Sequence, residues 1–247
     1  MKRDYRQELE ARVAFIADLL ASSGAKGIVF GNSGGKDSAL CGILCRRATE
    51  QVLGVCMPCQ SSRNFGEDLD DGRALAGQFG IKTLVVDLTA AKSELLAAIG
   101  DRAAVSDAAS ANIAPRLRMT TLYAIGQSLG YLVCGCSNAS EYYMGYFTKW
   151  GDGAYDFNPI ADLTVSEVYA FLDFLGAPAS IRQKPPSAGL FEGQTDEAEM
   201  GVRYEQVDAV MAGGSSGDPE ADAIIARFHG RSHHKRAPAL RYGSHQK

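Results

Sequence analysis

The stretch over residues 27–41 constrains the fold more than any other part of the chain. It reads GIVFGNSGGKDSALC. Its apolar run, residues 28–30, predicts a buried strand of a parallel sheet, and a glycine-rich turn follows. Asp37 and Ser38 then stand where a helix begins, a place that favours capping side chains. Because glycines allow close approach and a helix N-terminus attracts anions, the stretch predicts a site for a nucleotide phosphate.

The spacing of this loop excludes two common phosphate-binding motifs. A Walker A loop needs a glycine five residues before its Gly-Lys-Ser/Thr end, whereas Phe30 precedes Gly35 by five and the lysine is followed by Asp37. The glycines that begin at Gly31 also lack the spacing of a dinucleotide GxGxxG motif. A glycine turn that binds nothing is the alternative, and the Asp-Ser pair after the glycines argues against it.

Composition indicates a single globular domain over residues 1–247, with 46% hydrophobic and 22% charged residues. The net charge of −4 gives no general attraction to nucleic acid, so we expect no nucleic-acid partner. No apolar run reaches the roughly 20 residues of a membrane span, and the charged N-terminus lacks the apolar core of a secretory signal. We therefore expect a cytoplasmic protein that does not contact membranes.

The chain has six cysteines, and their spacing leaves a metal or redox role to be weighed. Cys56 and Cys59 form one CxxC pair. A site with four thiolates would want a second such pair, and Cys134 and Cys136 are too close in sequence to supply it. In a reducing compartment the cysteines are better interpreted as buried structural thiols.

Strand and helix patterns alternate along the first half of the chain. Strands are expected at 28–30, 51–56, 83–86 and 131–134, and helices at 5–21, 38–48, 67–79, 92–99, 115–129, 165–175, 196–211 and 221–228. This order predicts an α/β fold with one doubly wound parallel sheet and helices on both faces. Ligands in such sheets bind beyond the carboxyl ends of the strands. The Pro- and Gly-rich segment 183–194 is long enough to predict a lid.

Several motifs, taken in order, resemble one enzyme family. Residues 33–38, SGGKDS, resemble the signature of the N-type ATP pyrophosphatases. Further along, the chain is similar to the ammonia-dependent NAD synthetases of that superfamily in NIAPRLRM (112–119), Glu141 with GYFTKWGDG (145–153), PSAGL (186–190), GQTDE (193–197) and HKR (234–236). The matches cover residues 27–238, and their order makes them specific. The resemblance implies the adenine nucleotide alpha hydrolase-like fold and a homodimer.

The resemblance also implies a reaction. Such enzymes amidate deamido-NAD to NAD with ammonia, through an NAD-adenylate, and release AMP and pyrophosphate from ATP. A separate glutaminase domain would need about 250 further residues, so we expect the nitrogen source to be free ammonia or ammonia from a partner. Because ATP and the carboxylate are both anionic, cations and N–H donors must neutralise the point where they meet.

Roles for individual residues follow from the same motifs. Asp37 and Glu141 are implied ligands of Mg²⁺, which prefers hard oxygen donors. The implied ATP-binding set is Gly31, Asn32, Ser33, Gly34, Gly35, Lys36, Asp37, Ser38, Cys136, Lys184 and Ser187. The implied deamido-NAD-binding set is Arg116, Lys149, Asp156, His234 and Lys235. We assign catalytic roles to Asp152, which could orient or deprotonate ammonium, and to Lys149.

Two positions depart from the family pattern. Cys136 stands where the family has a threonine, and since a thiol donates weakly we expect the backbone to make that ATP contact. Val165 stands where the family usually has a lysine, and Lys184 or Lys36 is expected to supply the missing phosphate charge.

Three alternatives stay open at this point. A tRNA-thiolating ATP pyrophosphatase shares the SGGKDS loop and would use Cys56 and Cys59. The missing lysine at position 165 would also suit a divergent relative that amidates another carboxylate. A non-catalytic nucleotide-binding regulator could be built on the same fold.

Overall fold

The computed structural model describes residues 3–187 and 195–242. Its sheet contains four strands: β1 (Gly27–Gly31), β2 (Val52–Cys56), β3 (Lys82–Val85) and β4 (Tyr131–Cys134). They lie in the order β3-β2-β1-β4, and each neighbouring pair is parallel. The glycine-rich loop therefore leaves a central strand, with β2 and β4 on either side.

Helices connect and cover these strands. In chain order they are α1 (Tyr5–Ser23), α2 (Lys36–Ala48), α3 (Ser62–Phe65), α4 (Glu67–Phe79), α5 (Thr89–Ile99), α6 (Asp107–Ala111), α7 (Ile113–Leu129), α8 (Ala139–Met144), α9 (Val165–Leu175), α10 (Ala179–Arg182), α11 (Asp196–Met200), α12 (Tyr204–Gly213), α13 (Pro219–Arg231) and α14 (His233–Arg236). A short 3₁₀ helix, Gly100–Arg102, follows α5. None of the helices in the described ranges is both long and apolar enough to cross a membrane.

Alternation along β1 divides the core into two layers. Ile28 and Phe30 are fully buried in one cluster, which also contains side chains of α1, α2, α4 and α9. Val29 points to the opposite face and packs with Val133 against α7. Both faces of the sheet are thus covered by helices, which confirms the predicted doubly wound α/β fold.

A third apolar cluster joins the C-terminal helices to the end of α8. It is built around Met144, Tyr204, Val207 and Ile225, all at most 2% exposed. Val165 at the start of α9 is buried in this cluster and so serves packing. The cluster positions α12 next to the glycine-rich loop. There the Lys36 ammonium lies 5.8 Å from the centre of the Tyr204 ring.

Two of the differences between predicted and observed helices bear on the site. The helix expected over 196–211 is split into α11 and α12, because Gly201 has a φ of +75° and ends the first helix. The helix expected to begin at residue 38 begins at Lys36, which brings the lysine and Asp37 into the first turn of α2. Residues 188–194 of the expected lid lie outside the described residues.

The turn between β1 and α2 requires glycine at Gly34. Its φ is +72°, a conformation that other residues rarely adopt. A Cβ added there would lie 2.1 Å from the backbone oxygen of Asp68 in α4. Contact between this turn and α4 therefore depends on the missing side chain.

We predict that Gly34→Ala lowers the free energy of unfolding by at least about 2 kcal/mol, because it adds both backbone strain and a steric clash. Urea denaturation monitored by circular dichroism would measure it. The matched control is Gly77→Ala in α4, where a Cβ meets no atom within 4 Å. That change should stabilise the helix by about 0.5–1 kcal/mol. Equal effects of the two substitutions would contradict this reading of the turn.

Candidate active site

A cavity of about 910 Å³ opens at the carboxyl ends of the strands. The last residues of β1, β2 and β4 line it, together with the first turn of α2. Side chains from α7 form another wall, and α14 closes one side through His234 and Lys235. This is the edge of the sheet at which the strand order predicts a ligand site.

Three charged side chains form an ion cluster at the start of α2. The Lys36 ammonium donates to Asp37 Oδ2 at 2.7 Å and to Glu141 Oε1 at 3.1 Å. Lys36 is only 6% exposed, and the two carboxylates are 15% and 16% exposed. Burial opposes the ammonium charge, but Asp37 and Glu141 outweigh it and raise the pKa of Lys36. Burial and then Asp37 raise the pKa of Glu141.

Asn138 holds the two carboxylates of this cluster in place. It is fully buried and caps α8 by accepting a hydrogen bond from the Glu141 backbone N–H at 2.9 Å. Its side-chain amide donates to Asp37 Oδ1 at 2.9 Å. Glu141 accepts in return from the Asn138 N–H, which completes a capping box. The Asn-x-x-Glu spacing is visible in the sequence, so this positioning residue could have been found there.

Hydroxyl and amide groups shape the rest of the loop. The Ser33 and Ser38 Oγ atoms lie 3.0 Å apart, and Ser38 also donates to the Gly35 carbonyl. The Asn32 amide donates to the Gly72 carbonyl at 2.9 Å, while its buried Oδ1 has no hydrogen-bond partner among the described residues. Of the predicted loop residues all line the cavity except Gly34, which packs against α4.

Most of the later predicted residues also line the cavity: Cys136, Glu141, Asp152, Lys184, Ser187, His234 and Lys235. Lys184 is engaged by two carboxylates of α4, since its ammonium lies 2.7 Å from both Asp68 and Asp71. Ser187 accepts a hydrogen bond from Arg63 at 3.1 Å.

Asp152 and Lys235 both line the cavity. The Asp152 carboxylate accepts from the Thr148 N–H at 3.0 Å and is open to the cavity. The surrounding walls still displace bulk water, and this desolvation raises the pKa of Asp152. Lys235 donates to the carbonyls of Gly145 and Phe147, and desolvation lowers its pKa.

Besides Gly34, three predicted site residues within the described ranges lie outside this cavity. Arg116 is exposed and donates to backbone oxygens of Asn112 and Lys149. The Lys149 ammonium contacts the His234 carbonyl and lies 5.4 Å from the Trp150 ring centre. Asp156 accepts from the Val133 N–H at 2.8 Å and from the Tyr123 hydroxyl at 3.2 Å.

Sequence reasoning missed three cations of the cavity wall, Arg63, Arg118 and Arg231. Arg118 donates to the Met57 carbonyl and to Asn64 Oδ1, each at 3.1 Å. Its guanidinium is largely enclosed, and desolvation lowers its pKa. The residue belongs to the NIAPRLRM motif, so the signal was present. Nothing in the sequence showed which of the motif's two arginines, about 200° apart around the helix, faces the cavity.

The ion cluster predicts a pH-dependent effect of Lys36→Met. The substitution leaves two buried carboxylates together, so we expect a loss of about 3 kcal/mol in the free energy of unfolding at pH 8. The loss should be smaller at pH 5. Since the pKa of Glu141 is raised in the folded state, the folded protein retains a proton that the unfolded chain releases. Stability therefore falls as pH rises from the ordinary carboxyl pKa through the raised one.

Urea denaturation at pH 5 and pH 8, with a chelator present, measures this difference. Lys26→Met is the matched control, because Lys26 is exposed and lies before β1. It should change the unfolding free energy by less than about 0.5 kcal/mol at either pH. A loss in Lys36→Met that is the same at both pH values would contradict the assignment of Lys36 as the counter-ion.

Comparison with known proteins identifies relatives along nearly the whole chain. The model of the family described as NAD synthase matches residues 8–238. A protein of Alkaliphilus metalliredigens named NH(3)-dependent NAD(+) synthetase is 44% identical over 242 residues, which cover 93% of this chain and 95% of the relative. A protein of that same name from Carboxydothermus hydrogenoformans is 40% identical over 239 residues, with 96% and 97% covered.

Among solved structures, the NMN synthetase of Francisella tularensis superposes with a TM-score of 0.91 at 34% sequence identity. That match covers 97% of this chain and 99% of the other.

Proposed function

The chain belongs to the NAD synthase family, and we propose that it makes NAD by amidating deamido-NAD with ammonia at the expense of ATP. The observation that carries the proposal is the 44% identity, over almost the full length of both chains, to a relative whose name states both the product and the nitrogen source. The tRNA-thiolating alternative needs its CxxC cysteines at the reaction site. Only Cys56 of this pair lines the cavity, whereas Cys59 is buried and directed at the Leu88 carbonyl.

The cavity offers what binding and cleavage of ATP require. Backbone N–H groups of the loop and the start of α2 would bind phosphate oxygens, and the hydroxyls of Ser33 and Ser38 lie beside them. Arg118, Lys184 and Lys235 contribute positive charge to the same cavity. These cations would let the substrate carboxylate approach the α-phosphorus of ATP against the repulsion of two anions. Attack forms the acyl-adenylate and expels pyrophosphate, after which ammonia displaces AMP.

Asp37 and Glu141 are the residues that would hold Mg²⁺. They fit the ion chemically, because both are carboxylates, both line the cavity and both already face a common cation, the Lys36 ammonium. Bound Mg²⁺ would neutralise negative charge on the phosphates of ATP. Lys36 provides part of that neutralisation from the protein itself.

Asp152 is proposed to handle the incoming nitrogen. Its carboxylate is open to the cavity, and its raised pKa brings it closer to the range in which it can accept a proton from ammonium. His234 and Lys235 would close over the bound nucleotide, because α14 forms one wall of the cavity. Arg116, Lys149 and Asp156 would contact the part of deamido-NAD that extends beyond the cavity of one chain.

We further propose that the protein is a cytoplasmic homodimer of single-domain subunits. Apolar side chains of the edge strand and of α5 and α7 support a partner surface, since Leu84, Val85, Leu95 and Leu129 are each more than 40% exposed. Light scattering would separate a dimer from the 26.3 kDa monomer.

A second candidate substrate is the nicotinate mononucleotide, whose amidation gives NMN. The observation that favours it is the TM-score of 0.91 to the NMN synthetase of Francisella tularensis. Both reactions adenylate the same type of carboxylate. They differ in whether the site must also bind the AMP half of deamido-NAD.

We predict that purified protein with ATP, Mg²⁺ and ammonium converts deamido-NAD to NAD with a kcat/KM at least about 10-fold above that for nicotinate mononucleotide. Binding energy from the extra AMP half is the reason, since about 1.4 kcal/mol of it already gives that ratio. Chromatography of the products and coupled detection of pyrophosphate measure both rates. A preference for the mononucleotide would establish the second candidate.

Asp37→Asn serves as the control for catalysis at this site. It keeps the size of the side chain and a group facing Asn138, but it removes a charge, and activity with either substrate should fall at least about 100-fold. Amidation that continues at the normal rate, or the absence of turnover with both substrates in the unmodified protein, would contradict the proposed function.

A further inference from the structure

Four of the six cysteines gather behind the glycine-rich loop. Cys41 and Cys45 lie one turn apart on α2, Cys134 ends β4, and Cys136 follows two residues later. Cys41, Cys45 and Cys134 are buried, whereas Cys136 is partly exposed and lines the cavity. Parallel pairing of β1 with β4 brings these two segments together, although they are far apart in sequence.

The sulfur atoms are spaced as metal ligands are. The Sγ atoms of Cys41, Cys134 and Cys136 all lie within 4.8 Å of one another. The Cys45 Sγ lies 3.8 Å from that of Cys134. Bonds of about 2.3 Å to zinc place two sulfur ligands about 3.8 Å apart on a tetrahedron and about 4 Å apart in a trigonal plane. Shifts of about 1 Å at most would therefore bring three sulfurs onto one ion.

We propose that Cys41, Cys134 and Cys136 form a binding site for a thiophilic d¹⁰ cation such as Zn²⁺, with Cys45 adjacent. Thiolates select soft cations and discriminate against Mg²⁺, so this site is chemically distinct from the Asp37–Glu141 pair. Each thiol that binds releases its proton to solvent, so the three thiolates and one divalent cation together carry a net charge of −1. The inference does not depend on which carboxylate the protein amidates.

The position of Cys136 gives such a site access to solvent. Cys136 borders the cavity, so a cation can enter from solvent without unfolding the core.

An ion at this position would join two segments that carry the charged cluster. Cys41 lies in the same helix as Asp37, and Cys136 lies two residues before Asn138. Metal binding would therefore fix the distance between α2 and the connection from β4 to α8. A change in the thermal stability of the protein on metal binding follows.

The test is a titration of the reduced, full-length protein with Cd²⁺ and with Mg²⁺. The ultraviolet charge-transfer band of cadmium thiolates should saturate at one Cd²⁺ per chain, with an intensity expected for three sulfurs, and Zn²⁺ should displace it. Mg²⁺ should produce no such band. The melting temperature should rise with Cd²⁺ or Zn²⁺.

Matched cysteine variants locate the site. Cys136→Ser should weaken Cd²⁺ binding at least about 10-fold, because one of three ligands is lost. The Cys56→Ser, Cys59→Ser double variant removes the CxxC pair and should bind Cd²⁺ as the unmodified protein does. A band that is not saturable, or one that survives Cys136→Ser but is lost in the double variant, would overturn the proposal.

A second readout needs no variant and so does not depend on whether Cys136→Ser folds. Alkylation of the native protein, followed by mass spectrometry, should label Cys136 in the absence of metal. One equivalent of Zn²⁺ should protect it at least about 10-fold, consistent with a bound thiolate. Equal labelling with and without Zn²⁺ would overturn the proposal.

Discussion

The structure of the site depends on one buried ammonium between two carboxylates. Asp37 comes from the first turn of α2 and Glu141 from α8. Their approach therefore holds together two segments that follow different strands of the sheet. Two negative groups this well buried would repel each other without a counter-ion, and Lys36 supplies one at 2.7 and 3.1 Å. Asn138 then fixes the arrangement by bonding to both partners.

This arrangement suits a reaction between anions. The loop N–H groups, the lysine and the cations of the cavity wall all lie on the side of the sheet where the strands end. A fixed set of positive groups needs little reorganisation when negative charge gathers in the transition state. The loop also packs closely against α4. Gly34 permits this approach, because any side chain there would separate the two elements.

Much of this could be predicted from sequence because the signals are local. The parallel sheet, the boundaries of α4 and β4 and the phosphate loop follow from apolar periodicity and from glycine positions. Within the helix predicted over 196–211, Gly201 is an evident interruption in the sequence, but the pattern did not predict two separate helices. The contact between Lys36 and Glu141 did not follow from any local pattern, because Glu141 lies more than a hundred residues away and only the register of β1 against β4 brings it close.

The same reason separates the predicted site residues that line the cavity from those that do not. Cys136, Asp152 and Lys235 were assigned from ordered motifs, and they line the cavity. Arg116 was chosen over Arg118 within one motif, whereas the fold turns Arg118 into the cavity and Arg116 to solvent. Which of two such residues on one helix faces the cavity is determined by how α7 packs on the sheet.

The central claim is that the cavity activates a carboxylate by transferring AMP to it. The most direct measurement uses deamido-NAD labelled with ¹⁸O in both oxygens of the nicotinate carboxylate, turned over with ATP and ammonium. Mass spectrometry of the products should find one ¹⁸O in AMP and none in pyrophosphate, because the bond that breaks leaves a carboxylate oxygen on the α-phosphorus. Label in pyrophosphate or inorganic phosphate, or AMP without label, would contradict the account.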